Sequence, residues 1–191
     1  MYPFIRAAKE LIRASRMPAL ENVTDVHVSH HICWPHDLDF FLEMNNGRVL
    51  TLYDTGRFAG ALRGGLIATI RKEGWALTMA GASVRFRARI RAFERFDMRS
   101  RAVCWDDKFM YLEQSMWKKG GVCASHVLYR AAVTDKDGLV GPERVLAAMD
   151  QPNMASPQMP EWIARWATAD QARPWPPMQD AAVQAQESSS L

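Results

Sequence analysis

Residues 45–62 are apolar at helical spacing, with large side chains on more than one face of the helix they would form. Gly56 and Gly60 lie inside this segment, and a glycine in a helix interior costs roughly 1 kcal/mol relative to alanine. We therefore expect a sheet or a partner backbone to approach the helix closely at these two positions. The segment predicts a central helix enclosed by a wrapping sheet.

Strand-like segments surround this helix in the sequence. One, at 24–33, precedes it, and turn signals separate four that follow it, at 75–91, 96–104, 109–118 and 122–134. Residues 106–108 and 119–121 suit tight hairpins between neighbouring strands. The pattern predicts an α+β fold in which one strand and one long helix are followed by an antiparallel meander.

The two ends of the chain predict smaller elements. Residues 4–16 form a short basic amphipathic helix, for which packing on the domain is favoured over contact with a membrane surface. Short helices are predicted at 142–149 and near 160–167. We divide the chain into an N-terminal helix (1–20), the main domain (21–150), a C-terminal extension (151–177) and a polar tail (178–191) that is expected to be disordered.

Composition limits the classes of protein to consider. The chain has 191 residues, 48% of them apolar and 24% charged, and its net charge is only +3. It has no apolar run long enough to cross a bilayer and no secretory signal at its start, so we expect a soluble, cytoplasmic protein. Its three cysteines have no zinc-like or disulfide-like spacing, and its histidines lack a complete set of metal ligands. Neither a metal nor a redox cofactor is expected.

The segment 37–48 reads DLDFFLEMNNGR and sets Asp37 and Asp39 just ahead of the predicted central helix. The first N–H groups of a helix have no intrahelical partner and carry the positive end of the helix dipole. Such groups can polarise a carbonyl that a nearby carboxylate attacks directly or through water. The pattern therefore indicates acyl-transfer chemistry without a serine nucleophile.

This motif, together with the small-residue helix behind it, resembles the 4-hydroxybenzoyl-CoA thioesterase-like branch of the hotdog proteins. Within that branch, residues 104–113 (CWDDKFMYLE) resemble the group of proteins related to mammalian THEM6. The resemblance covers about residues 24–134. It implies a hotdog fold, in which a curved antiparallel sheet wraps a long central helix, and an acyl-CoA thioesterase that assembles as a homodimer or a dimer of dimers.

The resemblance also implies roles for particular residues. Asp39 matches the catalytic carboxylate, as nucleophile or general base. The backbone N–H groups of Asn46 and Gly47 would stabilise the oxyanion, and Asn45 would hold the loop around the substrate. Asp37 is given a structural role.

Arg85, Arg87, Arg89 and Arg91 alternate with apolar residues, so on one strand their guanidinium groups would share a face. We assign Arg85, Arg87 and Arg89 to the phosphates of coenzyme A, since arginine matches phosphate geometry. A solvated strand face or a subunit contact explains the row equally well. Nucleic acid is disfavoured because the net charge is low and no nucleic-acid module is recognisable.

Two positions depart from the family pattern, because Glu43 stands where many relatives carry histidine and Val49 where they carry an aromatic residue. These departures support an alternative function, that of a non-catalytic acyl-CoA-binding or scaffold protein. A hotdog hydratase ranks last, because this segment lacks an Asp-and-His pair at hydratase spacing.

Overall fold

The helices of the computed structural model, which describes residues 2–177, agree with the predicted central helix and add one that was not predicted. They are α1 (Phe4–Ala14), α2 (Asn46–Arg63), α3 (Leu66–Glu73), α4 (Pro142–Ala148) and α5 (Glu161–Gln171). A short 3-10 turn, Pro35–Asp37, precedes α2. The predicted disordered tail, 178–191, lies outside the described residues.

The strands form one antiparallel sheet in the order β1-β3-β4-β5-β2, with a short β6 added to β5. Their bounds are β1 (His27–Ile32), β2 (Ala76–Phe86), β3 (Arg95–Trp105), β4 (Met110–Lys118), β5 (Val122–Asp135) and β6 (Gly138–Val140). One strand, a long helix and a meander therefore follow one another as predicted. The α+β hotdog fold is confirmed.

Helix α2 lies against one face of the sheet. Its buried side chains include Val49, Leu52 and Tyr53, which belong to the main apolar core together with side chains of β3, β4 and β5. A Cβ atom at Gly56 would collide with the sulfur of Met98 on β3, so the sheet approaches the helix as closely as the glycine predicted. This contact fixes α2 across the middle of the sheet.

Helix α3 and strand β6 were not predicted. Helix α3 has only eight residues, and it is bounded by Gly65 and Gly74, both in the left-handed backbone conformation. In the sequence such glycines also suit turns, whereas here Gly74 ends the helix and its N–H donates to the carbonyl of Ile70 in the last turn. Strand β6 pairs with β5 across a tight turn between Asp135 and Gly138.

The prediction of one strand over 75–91 was wrong at its C-terminal end, because β2 stops at Phe86. The N–H groups of Arg87 and Ala88 both donate to the carbonyl of Ala124, at 2.8 and 3.1 Å. Two residues of one chain segment, Arg87 and Ala88, therefore lie opposite a single residue of β5, Ala124. This irregularity ends the regular hydrogen bonding between β2 and β5. The alternation of the arginines does not continue beyond this point, and only Arg85 lies on the strand.

Helix α1 lies against α2, as favoured by the sequence, but not through its apolar face. Glu10 and Ala14 are buried, whereas Ile5 and Ile12 are exposed. Arg6 holds the helix in place by an ion pair of 2.7 Å with Asp37. An electrostatic contact, which hydrophobic periodicity does not register, thus sets the orientation of α1.

The chain divides into two compact units, Met1–Pro157 and Gln158–Leu191. The sheet and helices α1 to α4 belong to the first unit, and α5 belongs to the second. None of the helices within residues 2–177 is long and apolar enough to cross a membrane.

Candidate active site at the start of the central helix

Asn45 caps the N-terminus of α2. Its side-chain oxygen accepts hydrogen bonds from the N–H groups of Gly47, at 2.9 Å, and Arg48, at 3.2 Å. Asparagine is among the preferred residues at this position because its side chain satisfies donors that the helix leaves without partners. The Asn46 N–H has no acceptor within the described part of the chain. Of the two donors predicted for the oxyanion, only that of Asn46 is therefore available in this state.

Asp37 anchors the loop before α2. Its carboxylate is buried and lies 2.7 Å from the Arg6 guanidinium and 3.2 Å from Nε of Arg48. The same carboxylate accepts a hydrogen bond of 2.8 Å from the Trp34 N–H, and the Asp37 carbonyl accepts one of 2.9 Å from the N–H of Asn45. Asp37 thus fixes the start of the helix, which agrees with the structural role assigned to it.

Asp39 lies at the base of a tight loop that is closed by a bridge between Leu38 and Met44. Its N–H donates to the carbonyl of Glu43, at 2.9 Å, and one carboxylate oxygen accepts a bond of 2.9 Å from the N–H of Phe41. The other carboxylate oxygen has no partner among residues 2–177. Asp39 is half-buried, and it retains an oxygen that can take a proton.

A cleft of about 230 Å³ opens beside the first turn of α2. The N–H of Met44 donates to the carbonyl of Ile90, at 2.8 Å, and this bond brings the chain after β2 to the helix N-terminus. The lining residues come from the loop before α2, from α2, from the end of β2 and the chain after it, and from the start of β5. They are Glu43, Met44, Asn46, Val49, Phe86, Arg87, Ala88, Arg89, Ile90, Ala124 and Ser125.

A buried hydrogen bond lies beneath this cleft. The hydroxyl groups of Tyr53 and Ser125 are 2.8 Å apart, and burial raises the pKa of the tyrosine far above its usual value. Gln114 donates to the carbonyl of Tyr53 at 2.8 Å and to the hydroxyl of Ser100 at 2.7 Å. The tyrosine is therefore neutral and held in place, and it ties α2 to β5.

Arg87 and Arg89 line the cleft, whereas Arg85 does not. Arg89 forms an ion pair of 2.7 Å with Glu43. The Glu43 side chain is therefore held by Arg89 and is only 28% exposed. The predicted row of arginines is reduced to two residues at the cleft.

The remaining predicted residues lie elsewhere around the helix start. Asn45 and Gly47 line a second cleft of about 460 Å³, together with Asp37 and Arg48. Asp39 lies on the loop and lines neither cleft. A single chain thus does not bring all the predicted catalytic residues into one cavity.

Sequence reasoning missed Tyr53, Phe86 and Ser125 as components of this site. The hydroxyl group of Ser125 instead shares a structural hydrogen bond with that of Tyr53. The two residues are 72 positions apart, so no local spacing could connect them.

Comparison with known proteins places the chain in a family. The family model described as "Thioesterase-like superfamily" matches residues 33–167, which is more than half of the chain. Protein THEM6 of Xenopus laevis is 34% identical over 165 residues, covering 85% of this chain and 77% of the relative. Protein THEM6 of Danio rerio is 29% identical over 164 residues, covering 85% of this chain and 79% of the relative.

Solved structures with the same fold include several thioesterases. The probable thioesterase YbaW of Escherichia coli superposes with a TM-score of 0.61 at 15% identity, covering 66% of this chain and 98% of its own. The Staphylococcus aureus protein SAV2348, solved in complex with CoA, superposes with a TM-score of 0.58 at 12% identity, and the match covers 76% of this chain and 96% of that protein. The fold and the family match agree, and the chain belongs to the thioesterase-like superfamily.

Proposed function

We propose that this protein hydrolyses an acyl-CoA thioester to a free acid and coenzyme A. The observation that carries the proposal is the unpartnered N–H of Asn46, which lies at the positive end of α2 beside a cleft lined by Arg87 and Arg89. Family membership supports thioester hydrolysis in general. The two arginines and the CoA-bound structural relative support CoA as the carrier.

In the proposed reaction, the thioester carbonyl oxygen accepts a hydrogen bond from the Asn46 N–H. Asp39 lies outside the cleft of a single chain, and its N–H donates a hydrogen bond of 2.9 Å to the carbonyl of Glu43, which lines that cleft. From this position Asp39 removes a proton from a water molecule, and the water oxygen attacks the carbonyl carbon. Negative charge on the tetrahedral intermediate is stabilised by the helix N-terminus. The intermediate collapses with cleavage of the carbon–sulfur bond, and the thiolate of coenzyme A leaves and takes up a proton. The reaction needs no metal or redox cofactor.

Asp39 is a better candidate for the base than Glu43. The free carboxylate oxygen of Asp39 can accept a proton, whereas the Glu43 carboxylate is engaged by Arg89 at 2.7 Å. Asp39 also matches the family's catalytic carboxylate. We assign Glu43 to holding Arg89 at the edge of the cleft.

We further propose a homodimer formed through β2. This strand pairs with β5 on one side, and its other edge has no partner among the described residues. An open edge of this length is a template for pairing with another strand, and a second β2 would continue the sheet. Such a dimer would place the connecting chain after Phe86, and hence the cleft, beside the subunit boundary.

The free thiols of Cys33, Cys104 and Cys123 support a reducing compartment such as the cytoplasm.

The test is thiol release from short, long and aromatic acyl-CoA substrates, comparing the wild type with Asp39→Asn. We expect Asp39→Asn to lower kcat by at least about 100-fold with little change in KM, because it removes a proton acceptor and not a binding group. Asp107→Asn is the matched control, since Asp107 is exposed on a distant hairpin and should leave kcat unchanged. A wild type that releases no more thiol than Asp39→Asn from any substrate would refute the enzymatic proposal.

The second candidate is an acyl-CoA-binding protein without turnover. The ion pair between Glu43 and Arg89 favours it, because it engages an acidic and a basic side chain that both line the cleft beside the Asn46 N–H. Under this alternative, calorimetry with a non-hydrolysable acyl-CoA thioether should show binding that Asp39→Asn leaves unchanged, and no thiol should be released from the corresponding thioester.

A further inference from the structure

Helix α1 presents its most apolar side chains to solvent. Phe4, Ile5 and Ile12 are 71%, 87% and 55% exposed, and Ala8 is also exposed. Positions 4, 5, 8 and 12 share one face of a helix, so these residues form a continuous stripe. Small soluble proteins rarely leave such a stripe uncovered without a binding role.

The opposite face of α1 is buried although it carries an acid. Glu10 is only 5% exposed, its carboxylate lies 3.9 Å from Nε2 of His27, and burial raises its pKa. Arg6 adds hydrogen bonds to the carbonyl of Ile32, at 2.9 Å, and to Asp37, at 2.7 Å. These polar contacts hold the helix so that its apolar stripe faces away from the domain.

Basic side chains border the stripe. Lys9, Arg13 and Arg16 are exposed along one side of it, and none of them has a carboxylate within ion-pair distance in residues 2–177. Lys9 and Arg13 also line a cleft of about 540 Å³, in which Arg6 and Arg95 add positive charge and Glu10 and Asp97 add negative charge. The surface around the stripe therefore carries more positive than negative charge.

We propose that α1 is a docking surface for an anionic lipid bilayer. In this arrangement the helix lies parallel to the membrane, with Phe4, Ile5 and Ile12 at the boundary between headgroups and acyl chains. Lys9, Arg13 and Arg16 contact lipid phosphates, whose negative charge complements theirs. A second copy of the chain fits less well, because two α1 helices packed face to face would bring their basic borders together.

The test is cosedimentation of the full-length protein with sucrose-loaded vesicles. One set contains phosphatidylcholine alone, and the other contains phosphatidylcholine with about one-third phosphatidylglycerol. We expect binding to the anionic vesicles only, and a loss of binding at 1 M salt, where charges are screened beyond about 3 Å. Ile5→Ser/Ile12→Ser and, separately, Lys9→Glu/Arg13→Glu should each weaken the vesicle affinity by at least about tenfold.

The controls are Leu139→Ser and Arg71→Glu/Lys72→Glu, which change exposed apolar or basic residues far from α1 in the chain and should bind as the wild type does. Circular dichroism confirms that each variant is folded. The proposal is overturned if the wild type does not bind anionic vesicles, or if the α1 variants bind as well as the controls. It is also overturned if Ile5→Ser/Ile12→Ser changes only the oligomeric state in sedimentation velocity, which would identify a second copy as the occupant.

Discussion

The carboxylate of Glu43 lies 2.7 Å from Nε of Arg89, and both residues line the cleft beside the free N–H of Asn46. Arg89 is 68% exposed and Glu43 is 28% exposed, so the pair contributes little to stability. Its importance lies in the charge that it presents to a ligand. While Glu43 is ionised, it neutralises one of the two cationic side chains at the cleft.

Glu43→Gln should therefore tighten the binding of coenzyme A and leave turnover nearly intact. We expect KM for an acyl-CoA to fall about threefold, kcat to change by less than about threefold, and the free energy of unfolding to change by less than about 1 kcal/mol. The same substitution should not affect an acyl-pantetheine substrate, which lacks the nucleotide phosphates. A collapse of kcat in Glu43→Gln would instead identify Glu43 as the base.

The two aspartates of the motif should differ sharply in their effect on stability. Asp37→Asn leaves Arg6 and Arg48 facing a neutral buried group, and breaking such a buried ion pair costs about 3 kcal/mol. Asp39→Asn removes a half-buried carboxylate with one local hydrogen bond and should cost less than about 1 kcal/mol. Urea unfolding of both variants measures the difference, and equal losses would contradict the structural role of Asp37.

Removal of the helix cap should affect both stability and rate. Asn45→Ala leaves the N–H groups of Gly47 and Arg48 without their acceptor and should lower the free energy of unfolding by about 1 kcal/mol. We also expect a lower kcat, because the frayed first turn no longer positions the Asn46 N–H. Asn45→Ser, which retains a capping oxygen, should recover most of both losses, and no recovery would argue against capping as the cause.

Alanine substitutions at Gly56 and Gly60 of α2 should change the free energy of unfolding in opposite directions. At Gly56 the added methyl group would collide with the sulfur of Met98 and lie 3.1 Å from the hydroxyl of Ser100, so overpacking should destabilise the protein by about 1–2 kcal/mol. At Gly60 the nearest atom is Cβ of His27 at 3.4 Å, an ordinary contact. The helix propensity of alanine should then stabilise by up to about 1 kcal/mol. Urea midpoints that shift in the same direction would refute this packing difference.

Stability should fall as the pH is lowered from 6.5 towards 4. The pKa of both the His27 and the His31 ring is lowered from 6.5 to about 4, mainly because the rings are buried. The second cause is a nearby positive charge, that of Arg63 for His27 and that of Arg6 for His31. Between pH 6.5 and pH 4 the unfolded chain therefore binds more protons than the folded protein. As the pH falls through this range, each ring lowers the free energy of unfolding by up to roughly 3 kcal/mol. Glu10 opposes this trend, because burial raises its pKa.

His27→Gln should flatten the dependence of stability on pH between 6.5 and 4, whatever its effect at pH 7. His36→Gln is the control, since its ring is 68% exposed. Urea unfolding at half-unit pH intervals gives the slopes. A slope in His27→Gln equal to that of the wild type would show that the ring at position 27 does not titrate in this window.

Local sequence signals were sufficient for the central helix and most of the sheet. The asparagine cap, the small residues at Gly56 and Gly60 and the turn residues between strands act within a few positions of one another. Short helices bounded by glycines, such as α3, were missed because the same residues also serve as turns.

The sequence by itself determined the order of the elements, the family and the set of candidate residues, because these follow from backbone preferences and from a contiguous motif. Only the tertiary structure decided which of those residues meet. The end of β2 separates Arg85 from Arg87 and Arg89, the buried contacts of Arg6 turn the apolar face of α1 outward, and the cap at Asn45 leaves the Asn46 N–H as the available donor. The first two outcomes depend on contacts between segments that are far apart in the chain, which hydrophobic periodicity does not encode. The third depends on the local geometry of the cap, which the sequence allows but does not fix.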